Sequence, residues 1–216
     1  MMAQLCQRLV PGARIASFGY PDIIGDVTRY IGDKAVTYRP DSEAICKRHG
    51  LKQHPIPDAH SFFEALGAKL DVFDIVKERG CEIPIDLNEP VCGDYRDYDY
   101  ALDVGTAEHC FNIAQAMINM ADMVKKDGLI FHENPFNWPN HGFYNLNPTF
   151  FTDFYEHNGF EIVECFLSGS GWLANPPRTK RFKFAEREAT IFTVAKRCEI
   201  KPFKWPTQTK YKQLLG

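Results

Sequence analysis

The chain has 216 residues, 44% of them hydrophobic and 25% charged, with a formal net charge of -3 at pH 7. That length suits one domain with a sizeable core, and the near-neutral balance gives no global pull toward nucleic acid or an anionic membrane. No apolar run reaches the length of a bilayer span. The opening MMAQLCQRLVPGAR lacks the basic-then-apolar order of a secretory signal. The seven cysteines, Cys6, Cys46, Cys81, Cys92, Cys110, Cys165 and Cys198, are odd in number and form no CxxC pair. This speaks against a disulfide framework or zinc knuckle, and for a reducing, cytoplasmic setting with the cysteines as small core residues.

The first apolar run, ARIASFG, follows a Pro-Gly turn, ends on Gly19 and reads as a buried strand. Residues Asp22 to Pro57 are mixed and carry no clear period. SFFEALGAK reads as a short helix, with Ser61 and Glu64 as a capping box and Gly67 as its end. LDVFDI is a second strand and EIPIDLN a third, with Pro84 marking a strand end or edge. YDYALDVG is the fourth. A long helix is expected from about Ala107 to Lys125, apolar at Ile113, Ala114, Met117, Ile118, Ala121 and Val124, and polar at Glu108, Asn112, Gln115 and Asn119. Lys125 and Lys126 suit its negative end and Gly128 its termination. LIFHENP is the fifth strand. Asn147 and Pro148 open a further helix that Gly159 ends. FEIVECFL and ATIFTVAKR are the last two strands, separated by a Gly/Pro-rich, basic insertion at about 168–189. The basic tail KPFKWPTQTKYKQLLG is expected to be mobile.

Strands alternating with helices predict one doubly wound, mostly parallel α/β sheet over 1–216, with an antiparallel C-terminal hairpin at one edge. Ligands in such sheets bind beyond the C-terminal strand ends. The positions of interest are therefore Gly19, Asp74, Asp86, Asp103 to Thr106 including Gly105, and Glu133 to Asn137. Gly19 lets the backbone approach a ligand. An acid at the second strand end, Asp74 or else Asp71, can accept from ribose hydroxyls. Asp86 and the Leu87 N–H can read an adenine edge.

The order of these features resembles that of a class I S-adenosylmethionine (SAM) dependent methyltransferase. The resemblance rests mainly on YDYALDVGTAEHCFNIAQAMINMADMVKKDGLIFHENP, which looks like the family's fourth strand, helix and fifth strand. Glu108-His109 matches the Glu-His pair of many relatives, and Lys126-Asp127-Gly128 their Lys-x-Gly-Gly turn with one glycine missing. The family's glycine-rich loop is reduced here to FGYPDIIG. The block from His132 to Phe160, above all NHGFYNLNP, resembles a bacterial subgroup associated with carbohydrate and small-molecule modification. The resemblance implies a Rossmann-like methyltransferase sheet, SAM as cofactor and a small-molecule acceptor, with O-methylation of a sugar or other hydroxyl as the favoured reaction.

Methyl transfer from a sulfonium needs alignment above all, and a hydroxyl acceptor also has a proton to lose. His141, His109 and Glu133 are the candidate bases near the expected mouth. Asn137, Trp138, Phe143 and Tyr144 are the candidate acceptor wall. No metal is expected, because His132, Glu133 and His141 show no recognised ligand spacing. Arg178, Lys180, Arg181 and Lys183 in the insertion read either as a solvated surface loop or as cations that attract an anionic acceptor. Two rival readings remain: a nucleotide-binding oxidoreductase, against which the missing glycine fingerprint counts, and a non-catalytic methyltransferase-fold protein.

Overall fold

The computed structural model describes residues 1–184 and 187–212; positions 185–186 of the expected insertion and 213–216 of the tail lie outside the described residues. Among the described residues eight strands form one sheet: β1 (Arg14–Phe18), β2 (Lys69–Asp74), β3 (Ile83–Pro84), β4 (Tyr98–Val104), β5 (Val124–Asn137), β6 (Phe160–Ser168), β7 (Trp172–Ala174) and β8 (Ala189–Arg197). Their order is β3-β2-β1-β4-β5-β8-β6-β7. The pairs among β1 to β5 are all parallel, and β8 runs antiparallel to both β5 and β6. The mostly parallel sheet and its antiparallel C-terminal strands are as expected. β8 enters between β5 and β6, and the edge is β7, contributed by the insertion. The third strand shrinks to two residues at the opposite edge. Pro84 has no N–H to donate, and Asp86 turns the chain by accepting from the Asn88 backbone N–H at 2.9 Å.

Period-two alternation sorts the strands' side chains onto two faces. Ile15, Leu70, Val72, Leu102 and Phe131 pack on one side with α1 (Met2–Arg8) and α4 (Ala59–Ala65). Ala16, Phe18, Phe73, Ala101 and Ile130 pack on the other with α5 (Ile113–Met123) and α6 (Pro148–His157). The unassigned stretch after β1 contains only two short helices, α2 (Thr28–Ile31) and α3 (Ser42–Arg48). The capping box at Ser61 is not formed. Asp58 caps α4 instead, accepting from Ser61 N at 3.0 Å, and the Ser61 hydroxyl receives Thr37 N at 2.8 Å. Gly67 does follow the helix end, at φ +78°.

The long helix expected from Ala107 is divided. A 3-10 turn covers Ala107–His109, and α5 begins after Asn112, whose side chain accepts from Gln115 N. It stops at Met123 because Val124 already pairs with Tyr98 of β4. Lys125, Lys126 and Gly128 thus belong to β5, where Asp127 adopts φ +67° and the β4–β5 register shifts. Glycine is needed at 128, since a Cβ there would lie 2.8 Å from the Asp99 carbonyl. The cation at the end of α5 is Arg197, whose Nη1 donates to the carbonyls of Ala121, Asp122 and Val124 at 3.0, 3.3 and 2.6 Å.

Asn119 was expected on the polar side of the helix, yet it is buried and pins the loop after β3. Its Nδ2 donates to the carbonyls of Leu87 and Glu89, and its Oδ1 accepts from Val91 N. Asn119→Ala is expected to cost about 2 kcal/mol, because these groups lose partners where water is scarce. A chemical-denaturation loss below about 0.5 kcal/mol would contradict this role.

The tail is docked through 212 rather than mobile. Asn158 exchanges hydrogen bonds with the Lys204 backbone, Phe203 stacks on Phe154 with ring centres 6.2 Å apart, and Asp153 accepts from Thr209 N at 3.0 Å. The cysteines are core residues only in part: Cys46, Cys110 and Cys165 are buried, while Cys81, Cys92 and Cys198 are exposed. Among the described residues no helix is long and apolar enough to cross a membrane.

Candidate active site at the ends of β4 and β5

Asp103 and His132 face each other across the β4–β5 register, both fully enclosed. His132 Nδ1 donates to Asp103 Oδ2 at 2.7 Å, and its Nε2 meets the Tyr155 hydroxyl. The other Asp103 oxygen accepts from Thr106 N at 3.0 Å and Ala107 N at 3.1 Å. Burial alone would raise this carboxyl, but the bond and charge of His132, with Asn134 and the turn N–H, hold it below the usual range. Asp103 is therefore a buried brace for the turn after β4.

The brace positions Glu108. Two residues beyond His132 on the same face of β5, Asn134 donates to Asp103 Oδ2 at 3.0 Å and to Glu108 Oε2 at 2.9 Å. Glu108 is fully buried, and Oε1 has no hydrogen-bond donor. Burial and then the Asp103 charge push its carboxyl up to about 7. Oε1 lies 3.5 Å from His141 Nε2 and 4.0 Å from His109 Nε2. The two histidine side chains are 41% and 48% exposed, so the buried acid looks out through a half-open imidazole pair. The imidazole of His109 is held below its usual pKa by burial and by His141.

The loop after β5 is tied to this turn. Phe143 N donates to the Glu108 carbonyl at 2.9 Å, and the Tyr144 hydroxyl donates to the Phe111 carbonyl at 2.8 Å. A Cβ at Gly142 would lie 2.8 Å from the Glu108 carbonyl oxygen, so glycine permits the close approach. Trp138 packs edge-on against His141, Phe143 stands exposed against Phe111, and Asn137 reaches the Arg187 carbonyl of the insertion.

Of the three candidate bases, His109 and His141 come together. Glu133 does not join them: it alternates with His132 and Asn134 and points to the opposite face of the sheet. Burial raises its carboxyl there, opposed by the N-terminal amine and His49. The trio His132, Glu133 and His141 is likewise not assembled. In the sequence Glu108 stands only as half of the Glu-His pair, His132 only as a metal ligand without recognised spacing, and Asn134 only within the range Glu133 to Asn137; none of them has a role in the site there. The signal for the latter two was their shared phase along β5.

At the neighbouring strand ends, Gly19 takes φ +79°, and a Cβ there would come 3.2 Å from Thr106 Oγ1, which donates to the Phe18 carbonyl at 2.6 Å. Gly105, also at φ +79°, sits against Glu108 Oε1. Asp74 is half-buried and accepts from Val76 N at 3.2 Å. Asp71 accepts from the Tyr98 hydroxyl and faces Arg14, toward the far end of the sheet. Asp86 is exposed, and the Asn88 bonds hold its carboxyl low; Leu87 is buried. In the insertion, Arg178 pairs with Glu156, while Lys180, Arg181 and Lys183 are exposed. Phe182 and Phe184 pack on Phe136.

No protein-family model and no curated protein sequence matches the chain. Solved structures do. The N-methyltransferase NodS from Bradyrhizobium japonicum WM9 is 12% identical, with 92% of this chain and 93% of that one covered, at a TM-score of 0.50. The 1,6-didemethyltoxoflavin-N1-methyltransferase of Burkholderia thailandensis, bound to 1,6-didemethyltoxoflavin and S-adenosylhomocysteine, is 13% identical over 92% and 76%, at 0.51. The [4+2]-cyclase SpnF is 13% identical over 91% and 79%, at 0.50. At such identities the likeness concerns the fold. With β8 antiparallel between β5 and β6, which an all-parallel dinucleotide-binding sheet lacks, this chain has the Rossmann-like methyltransferase fold.

Proposed function

We propose that the chain is a SAM-dependent methyltransferase that acts on the hydroxyl of a small molecule, with a sugar or similar metabolite as the favoured acceptor. One observation carries the reading. In a methyltransferase sheet, at the C-terminal ends of β4 and β5, a fully buried carboxylate with a free oxygen is faced by two half-exposed histidines. Such a sheet binds ligands at these ends, and a hydroxyl acceptor needs a place where its proton's charge is handled. The adenosine would lie along Gly19, Asp74, Asp86, Gly105 and Thr106. The loop from Asn137 to Asn147 would wall the acceptor. Exposed Lys180, Arg181 and Lys183 favour an acidic acceptor. That two structural relatives are described as methyltransferases supports the reading.

Calorimetric titration with SAM, S-adenosylhomocysteine and NAD tests it. The first two are expected to bind one per chain and NAD not at all. Saturable NAD binding without SAM binding would sink the proposal. A second reading keeps the fold without methyl transfer. Tyr20, which follows Gly19 where the family's glycine loop would run, is pinned by Asp58 and lies under Arg39 and Arg79. SpnF, described as a cyclase, shows that the fold is not bound to one reaction. SAM binding with no transfer to any hydroxyl acceptor would favour it.

A further inference from the structure

Glu108, His109 and His141 present three ligand atoms to one small space. Glu108 Oε1, His109 Nε2 and His141 Nε2 all lie within 4.8 Å of one another. The carboxylate oxygen is enclosed and has no donor, although its sister oxygen is held by Asn134. A buried carboxylate oxygen left without a partner is costly, and here it is aimed at two imidazole nitrogens.

We propose that this cluster is a mononuclear site for a divalent transition-metal ion, bound by Glu108 Oε1, His109 Nε2 and His141 Nε2. Two imidazoles and one carboxylate suit Zn2+, Co2+, Mn2+ or Fe2+, whereas Mg2+ and Ca2+ favour all-oxygen shells. Metal–ligand bonds of about 2.0–2.2 Å require ligand atoms roughly 3–3.5 Å apart. The Glu108–His141 separation of 3.5 Å already meets this, and His109, half-exposed and 4.0 Å from Oε1, closes the rest by a side-chain rotation. The carboxylate is held from behind as a ligand should be: Asn134 fixes Oε2, and Asp103 fixes Asn134. Gly142 and Gly105 leave no Cβ to fill the space around Glu108. Both histidines are open to solvent on the outer side, which leaves coordination positions for water or a ligand.

The ion's binding stands by itself, but its part in catalysis rests on the methyl-transfer reading. There, an acceptor hydroxyl coordinated to the ion loses its proton to water more readily. Its oxygen then forms the new O–C bond as the C–S bond of SAM breaks. The sulfonium leaves as a neutral thioether.

The test uses chelator-stripped full-length protein titrated with Zn2+, Co2+ and Mg2+ by calorimetry, with visible absorption of bound Co2+ reporting its ligands. One Zn2+ or Co2+ per chain is expected, with Mg2+ binding at least a hundredfold weaker. His141→Asn, at a half-exposed position, and Glu108→Gln should each weaken Zn2+ at least tenfold and alter the Co2+ spectrum. His157→Asn, on α6, should change neither. Circular dichroism melts of each variant confirm folding. Equal Zn2+ affinity in wild type and folded His141→Asn, or no Co2+ spectrum in the wild type, overturns the site. Metal binding without SAM binding leaves the site standing and removes only the methyl-transfer role. SAM binding without metal binding does the reverse.

Discussion

Asp103→Ala is expected to lower stability by about 3–5 kcal/mol, the range for removing one partner of a buried, hydrogen-bonded pair. Four donors lose their acceptor at once: Thr106 N, Ala107 N, His132 Nδ1 and Asn134 Nδ2. Ala107, His132 and Asn134 are buried and cannot recruit bulk water easily, while Thr106 is half-buried. For a chain of this size the melting temperature should fall by roughly 10 °C. Asp103→Asn should recover only part of the loss, because its amide nitrogen cannot accept. Urea denaturation of both variants is the measurement, and a loss below about 1 kcal/mol for Asp103→Ala would show that the turn after β4 is held by something else. The same variant should also loosen Glu108, which reaches Asp103 through Asn134.

Arg197→Met is the second large effect, expected near 3 kcal/mol. Its guanidinium answers three carbonyls at the end of α5, and a buried carbonyl left without a donor costs about 1–3 kcal/mol. Methionine keeps much of the buried volume, so the loss reports hydrogen bonding and the helix-end charge rather than a cavity. Arg197→Lys should fall between the two: Nη1 alone reaches all three carbonyls, so an ammonium keeps the charge and donors, but the shorter lysine stem places its nitrogen less well. Equal denaturation midpoints for wild type and Arg197→Met would refute the capping role.

The sheet was legible because its strands are short apolar runs ended by glycine or acid, and because period two survives burial. The misreadings have local causes. Lys125 to Gly128 has the composition of a helix end, and only the pairing of Val124 with Tyr98 makes it a strand with a bulge. Asn119 looks like a solvated helix position, and its burial depends on a loop some thirty residues away. The site was half legible. His109 and His141 could be placed by their position after strands. Glu108 was placed beside His109, but its burial was not legible, because what buries it is Asn134 from another strand and the loop carrying Gly142. Glu133 stands apart from the two histidines for a simpler reason: neighbours along a strand point apart.

The position of β8 bears on how the chain emerges from the ribosome. The strand that fills the seam between β5 and β6 is the last of the eight to be synthesised. Until residues up to Arg197 have left the exit tunnel, β5 and β6 each keep an open row of backbone donors and acceptors, flanked by apolar side chains. Such nascent edges pair readily with other chains. Fragments that stop before β8 should therefore recover poorly from the soluble fraction.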